Sequence, residues 1–182
     1  MAQNISDFYR SVQQKDFARV FQFRLVQLAN TNFDEDTLVY VQTANLPGRA
    51  ITNTQVPFMG LQFNVPGTAT YPNSNAYAVK FRCDANYDIR TVLENATFNT
   101  FDDGTSTGDY NVARNSSVIT LNLLNKSGTT IRQYTLYGAY VVSINDMNYD
   151  LADGGTIQNI DTTLAYQYWR VTGTTSNVPN TL

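Results

Sequence analysis

Histidine is missing from this chain altogether, and cysteine occurs once, at Cys83. Those two absences remove the usual zinc sets built from Cys and His, and any disulfide framework within one chain. Positive charge is also sparse: 12 Lys and Arg against 15 Asp and Glu leave a net charge of −3, and the basic residues are scattered. No stripe of cations exists to neutralise phosphates, which argues against tight nucleic-acid binding. Residues 1–19 are polar and charged, without the apolar core of a signal peptide. No run of about 18 apolar residues is present to span a bilayer. The expectation is a protein made in, and soluble in, a reducing cytoplasm.

What is present favours strands. Tyr, Phe, Thr and Val are plentiful while Lys and Glu are few, as in sheet proteins. A length of 182 residues suits one domain over 1–182, able to bury on the order of 70% of its extended surface. Ile5, Phe8, Tyr9 and Val12 keep helical spacing and predict a short amphipathic helix within an N-terminal arm, 1–19. Phe21, Phe23 and Leu25 alternate with polar residues, and Thr37 to Ala44 follows as a second strand after a turn. Met59, Leu61, Phe63 and Val65 make a third, with Pro66-Gly67 expected to close it. Tyr77, Val79, Phe81 and Cys83 alternate most cleanly of all, so that strand has one core face and one wet face. Cys83 is read as a buried small hydrophobe.

The period then changes. Ile89, Val92, Leu93 and Ala96 predict one helix over about 88–98, with Asn86 as its N-cap. Strands resume at Ile119 to Leu123, a turn at Asn125 to Gly128, a long strand from Thr130 to Ile144 bent near Gly138, and a last long strand from Thr156 to Val171. The segment 172–182 reads as a loose tail. The fold class is therefore mainly β, a sandwich or closed barrel of about seven strands with one flanking helix.

Three patterns resemble catalytic or metal motifs, and each has a simpler reading. Gly104-Thr-Ser-Thr-Gly108 has the spacing of a nucleophile elbow, but lacks the strand-to-helix context and any histidine base, so it reads as a loop. Asp146 to Asp150 begins like a calcium loop, yet Leu151 stands where glycine is needed and Ile157 where glutamate is needed. The clusters Asp102, Asp103, Asp109 and Asp34, Glu35, Asp36 have no apolar surround to raise a pKa, and read as solvated turns rather than an acid/base pair. No catalytic residue, cofactor site or metal site is expected, and the chain is not expected to be an enzyme.

The informative stretch is Ala44 to Val65. Pro47 and Gly48 end the strand before it, Pro57 restarts an extended path, and the stretch carries Ile51, Val56, Phe58 and Met59. An apolar connection of this length either packs on its own core or docks on another subunit, and docking is the expectation here. Long strands with exposed edges point the same way.

Asp16-Phe-Ala-Arg19 leading into Phe21-Gln-Phe, then Leu46-Pro-Gly48, Val56-Pro-Phe-Met59, Phe63-Asn-Val-Pro-Gly67, Tyr137-Gly-Ala-Tyr-Val and Thr163-Leu-Ala-Tyr-Gln-Tyr-Trp169 follow one another in the order of a known family. Over about Asp16 to Val171 the chain resembles the tail tube protein of contractile-tailed bacteriophages, itself related to the haemolysin-coregulated tube protein of type VI secretion. The resemblance implies a structural virion protein whose six copies join edge to edge into a ring, with rings stacked into a hollow tube. It implies tail sheath, baseplate and tail terminator proteins as partners, DNA only as a passenger in the lumen, assembly in the host cytoplasm and residence in the virion tail. It also implies that the arm and the long loop bridge subunits. By position these are Asp16, Phe17 and Arg19, with Leu46, Pro47, Arg49, Ile51, Val56, Phe58 and Met59. A secretion-type tube or baseplate tube initiator is the alternative within the fold. A carbohydrate-binding β-sandwich, stacking sugars on exposed Tyr and Trp169, is the alternative of another class.

Overall fold

The structure is a computed structural model and describes residues 4–14, 17–29, 31, 33, 38–108, 117–152 and 154–172. Asp16, the Asp34 to Asp36 cluster, Asp109 and the tail from 173 onward lie outside the described residues. Among the described residues there are two helices and twelve strands: α1 (Ile5–Gln14), β1 (Phe23–Gln27), β2 (Val41–Ala44), β3 (Ala50–Phe58), β4 (Leu61–Thr70), β5 (Tyr77–Arg82), α2 (Asp88–Thr100), β6 (Phe101–Asp102), β7 (Thr107–Gly108), β8 (Val118–Leu124), β9 (Thr130–Tyr137), β10 (Tyr140–Ile144), β11 (Asn159–Ala165) and β12 (Tyr168–Thr172).

Eight strands form two four-stranded antiparallel sheets, ordered β1-β8-β9-β12 and β10-β11-β5-β2. The sheets are not closed into a barrel, which decides between the two architectures that periodicity left open. Their inner faces share one core: Leu25, Ile119, Leu121 and Leu136 from the first, and Val79, Phe81, Ile160 and Leu164 from the second, all essentially without solvent exposure. Alternation explains the choice of face. Tyr77, Val79 and Phe81 are buried while Ala78 and Arg82 are exposed, the period of two that a half-buried strand requires.

The two long strands expected at the C-terminal end prove to be bent, and each bend transfers the chain from one sheet to the other. Gly138, buried and at φ 64°, makes the first corner between β9 and β10. That left-handed conformation suits a residue without a Cβ. Tyr166 and Gln167 make the second, between β11 and β12. The Gln167 amide donates to the Tyr137 carbonyl at 2.9 Å, so the two corners are clasped together. One long ribbon is thereby folded over the core, half of it in each sheet.

Helix α2 buries Ile89 and Leu93 into the same core. Its cap differs from expectation. Tyr87, at φ 60°, precedes the helix, and Asp84 rather than Asn86 satisfies the first free amides: Oδ2 accepts from the Asp88 N–H at 2.9 Å and Oδ1 from the Ile89 N–H at 3.1 Å. Burial alone would raise the Asp84 pKa, but the backbone amides offset it and hold the carboxyl below its ordinary value. Cys83 is half-buried at the margin of the core, its thiol donating to the Asp84 carbonyl at 3.4 Å, with burial pushing its pKa up.

Candidate assembly surface

The stretch read from sequence as a long loop is a β-hairpin. β3 and β4 pair with each other and with no other strand, and of their residues only Ala50 is even partly buried. Two consequences correct the sequence reading. Residues 50–58 are strand, not connection, and Pro66-Gly67 lies inside β4 rather than ending it. Pro57 is tolerated because β3 has a free edge that needs no donor.

Register sorts the hairpin into two unlike faces. Thr54 opposes Val65, Val56 opposes Phe63 and Phe58 opposes Leu61, so five apolar side chains stand on one face. Gln55 opposes Asn64 and Pro57 opposes Gln62 on the other. No charged residue occurs between Ile51 and Thr70. No described residue covers the apolar face of this amphipathic ribbon. Completing the burial of those five half-exposed side chains is worth about 1 kcal/mol each, half of the ~1.5–3 kcal/mol for a full burial.

The tip and the bend are both built from unusual backbone. Met59 and Gly60 form the two-residue turn, with φ 47° and 79°. Such turns favour Asn-Gly, because a non-glycine residue in the left-handed region is disfavoured by roughly 1 kcal/mol. Here the position holds a methionine whose side chain is 88% exposed. Further back, the register shifts between Ile51 and Asn53, where Gly67 and Thr68 stand opposite Thr52 alone. Thr52 fills the gap: its Oγ1 accepts from the Thr68 N–H at 2.9 Å, lies 3.1 Å from Thr68 Oγ1, and stands where a Cβ on Gly67 would come within 2.7 Å. Glycine is therefore required at this bulge.

The root of the hairpin is tied to both sheets. From the first, the Trp169 indole N–H donates to the Gly48 carbonyl at 2.9 Å, and Tyr71 meets the Trp169 ring edge-on at 6.4 Å. From the second, the Tyr77 hydroxyl donates to the Asn45 carbonyl at 2.6 Å. Of the residues picked from sequence, Pro47 is buried in this root, Leu46 and Arg49 are exposed beside it, and Ile51 lies before the bulge. Val56 and Phe58 share the apolar face, with Met59 at the tip. Sequence reasoning placed Leu61, Phe63 and Val65 in the following strand and did not group them with Val56 and Phe58, although their alternation already marked one face. Phe17 and Arg19 are exposed in the arm, Phe17 at 6.4 Å from the Phe8 ring. Ile5, Phe8 and Tyr9 of α1 are exposed as well.

Two carboxylates of the motif look-alikes carry turn hydrogen bonds. Asp102 accepts from the Gly104 N–H and the Thr105 hydroxyl, which tightens the β6–β7 turn. The Thr105 hydrogen bond, then the Gly104 amide, lowers its pKa. Asp150 accepts from the Ala152 N–H. Among the described residues no three His, Cys, Asp or Glu side chains converge to hold a metal ion, and no helix is long and apolar enough to cross a membrane.

The backbone has solved counterparts. A chain of the anti-feeding prophage (AFP) baseplate, determined by cryo-EM, matches with TM-score 0.62 and 16% identity over 87% of this chain and 97% of that one. A chain of the sheath–tube complex of an extracellular contractile injection system, PVC, matches with TM-score 0.56 and 13% identity over 95% and 100%. A chain of the AFP tube-terminating cap matches with TM-score 0.61 and 13% identity over 88% and 93%. The fold is that of contractile-injection-system proteins. At these identities the likeness concerns the fold alone. No family model matches the sequence, and no curated protein matches it.

Proposed function

We propose that this chain is a non-enzymatic structural subunit of the tube of a contractile tail or injection machine, the whole of 1–182 serving as one tube domain. Six copies join edge to edge into a ring, and the hairpin, with the arm, bridges each ring to the next. Sheath, baseplate and terminator proteins are its partners, and DNA crosses the lumen as a passenger if the machine is a phage tail. Such a subunit is assembled in the host cytoplasm and resides in the tail.

The observation that carries this reading is the hairpin: tied to both sheets at its root, apolar on one face, uncharged throughout, and covered by none of the described residues. A fold shared with tube, cap and baseplate chains supports it. The saccharide-binding reading loses its anchor, since Trp169 is turned toward Tyr71 and Tyr134 with its N–H engaged. Electron microscopy of the purified protein, with sedimentation across concentrations, tests the proposal. Six-fold rings or hollow tubes are expected. A chain that remains monomeric at high concentration and binds saccharide would sink it.

A further inference from the structure

We infer that each copy plugs the loop between β10 and β11 into a groove on the next copy in the ring, where β1 and β2 leave an open seam between the two sheets. This rests on the self-assembly proposed above, and adds to it a lateral contact distinct from the hairpin.

The groove runs between two unpaired sheet edges, β1 of the first sheet and β2 of the second. Its volume is about 720 Å³. That is room for more than one side chain, within the ~300–1,000 Å³ of ordinary binding clefts. Val20, Phe21, Val39 and Tyr40 line it and are exposed, Val20 at 98%. Arg24 and Arg82 stand at its wall, both exposed, and neither has a carboxylate within ion-pair distance among the described residues. An apolar cleft with two cations that no described carboxylate pairs fits a segment that carries apolar anchors beside acids.

The β10–β11 loop is such a segment. Tyr149 and Leu151 stand out from it, Leu151 as exposed as an isolated residue, flanked by Asp146 and Asp150. The loop is held rather than loose. Gln158 donates to the Asn148 carbonyl at 3.0 Å, Arg90 reaches the Asn145 carbonyl at 3.4 Å, and Asp150 closes its turn on Ala152. A pre-formed knob loses less entropy on docking than a mobile one.

Within one chain no residue of the loop lines the groove, and Leu151 and Tyr149 are exposed. β10 and β2 are the opposite edges of the second sheet, about 14 Å apart at ~4.8 Å per strand spacing. Knob and groove also share one end of that sheet, where the Cys83 amide donates to Gln158 beside the loop and the Arg82 amide donates to Tyr40 beside the groove. A knob on one edge and a matching hole on the other make a heterologous contact, the kind that propagates sideways and closes into a ring.

Charge exchange tests this in the full chain. The Arg24→Glu/Arg82→Glu variant and the Asp146→Lys/Asp150→Lys variant are each expected to raise the concentration needed for assembly by about tenfold or more, and the combined variant to recover most of that loss. Leu151→Asp, at a position without packing, should do the same as either single charge reversal with an unchanged melting temperature. If the arginine variant and Leu151→Asp both assemble as the wild type does, or if the combined variant is no better than its parents, the inference is overturned while the tube reading stands. A wild-type chain that never self-associates overturns both.

Discussion

Trp169 donates its indole N–H to the Gly48 carbonyl at 2.9 Å, joining residues 121 positions apart in sequence. The bond ties the start of the hairpin to β12, while the Trp169 ring packs against Tyr134 and Tyr71. Trp169→Phe keeps most of the packing and removes the donor. It should cost about 1 kcal/mol of stability, the net worth of a neutral hydrogen bond. Amide exchange should quicken at residues 45–50 and 70–72 more than in β5 or β11. Uniform quickening would mean that Trp169 serves the core and not the hairpin root.

Met59 sits at the hairpin tip in a conformation that asparagine adopts more readily. Met59→Asn should therefore leave the melting temperature unchanged or slightly higher, while assembly weakens because the exposed thioether side chain is lost. Met59→Asp should block stacking outright without unfolding the monomer. A variant that unfolds would show that the tip contributes to the core.

Gly67 offers a sharper separation of hairpin from core. An added Cβ would lie 2.7 Å from Thr52 Oγ1 and 3.0 Å from the Thr52 carbonyl, and the backbone contact cannot yield by a rotamer change. Gly67→Ala should distort the bulge and re-aim the tip, but β3 and β4 pair with no sheet strand, so the core should unfold at its normal temperature. Loss of assembly with an unchanged transition is the expected pair of readouts.

How much of this was legible in sequence depended on whether the pattern and its burial share a cause. In β5, one face meets the core and the other meets water, so Tyr77, Val79 and Phe81 could be read directly. The hairpin shows the same alternation at Val56 and Phe58, then Leu61, Phe63 and Val65, but no described residue buries it. Its three nearby prolines pointed to connection rather than strand. Gly138 gave away the first bend, but not the change of sheet at it: Leu136, Ala139 and Val141 stay buried through the corner, so hydrophobicity does not register the crossing. The seven expected runs became nine strands by this splitting, and only β3, β6 and β7 were absent from the reading. The Asp84 cap was missed because its carboxylate reaches across Tyr87 from four residues before the helix.

That cap makes its own prediction. Asp84→Ala leaves the Asp88 and Ile89 amides without acceptors and should cost about 0.5–2 kcal/mol. Because the folded-state pKa of Asp84 is lowered, its contribution is complete above the ordinary carboxylate range and fades as pH falls through the folded value. The difference in stability between wild type and Asp84→Ala, followed by urea titration, should thus shrink under strongly acidic conditions. A difference independent of pH would assign the loss to packing.

The Tyr77 hydroxyl gives the opposite sign at alkaline pH. Burial first, and then the neighbouring Tyr166, pushes its pKa well above that of a free phenol, and its proton is committed to the Asn45 carbonyl at 2.6 Å. The unfolded chain loses that proton near pH 10, whereas the folded chain keeps it. Below pH 10 the two states are equally protonated at this site and the full stability is present. Above it the unfolded state binds fewer protons, so stability falls with every further rise in pH toward the folded value. Tyr77→Phe should lower stability by about 1 kcal/mol at neutral pH through the lost hydrogen bond, and should flatten the decline between pH 10 and 11.5. Denaturant titrations of both proteins over that interval check the prediction, and parallel declines would place the alkaline sensitivity elsewhere, with Tyr166, whose pKa burial also raises, as the next group to replace.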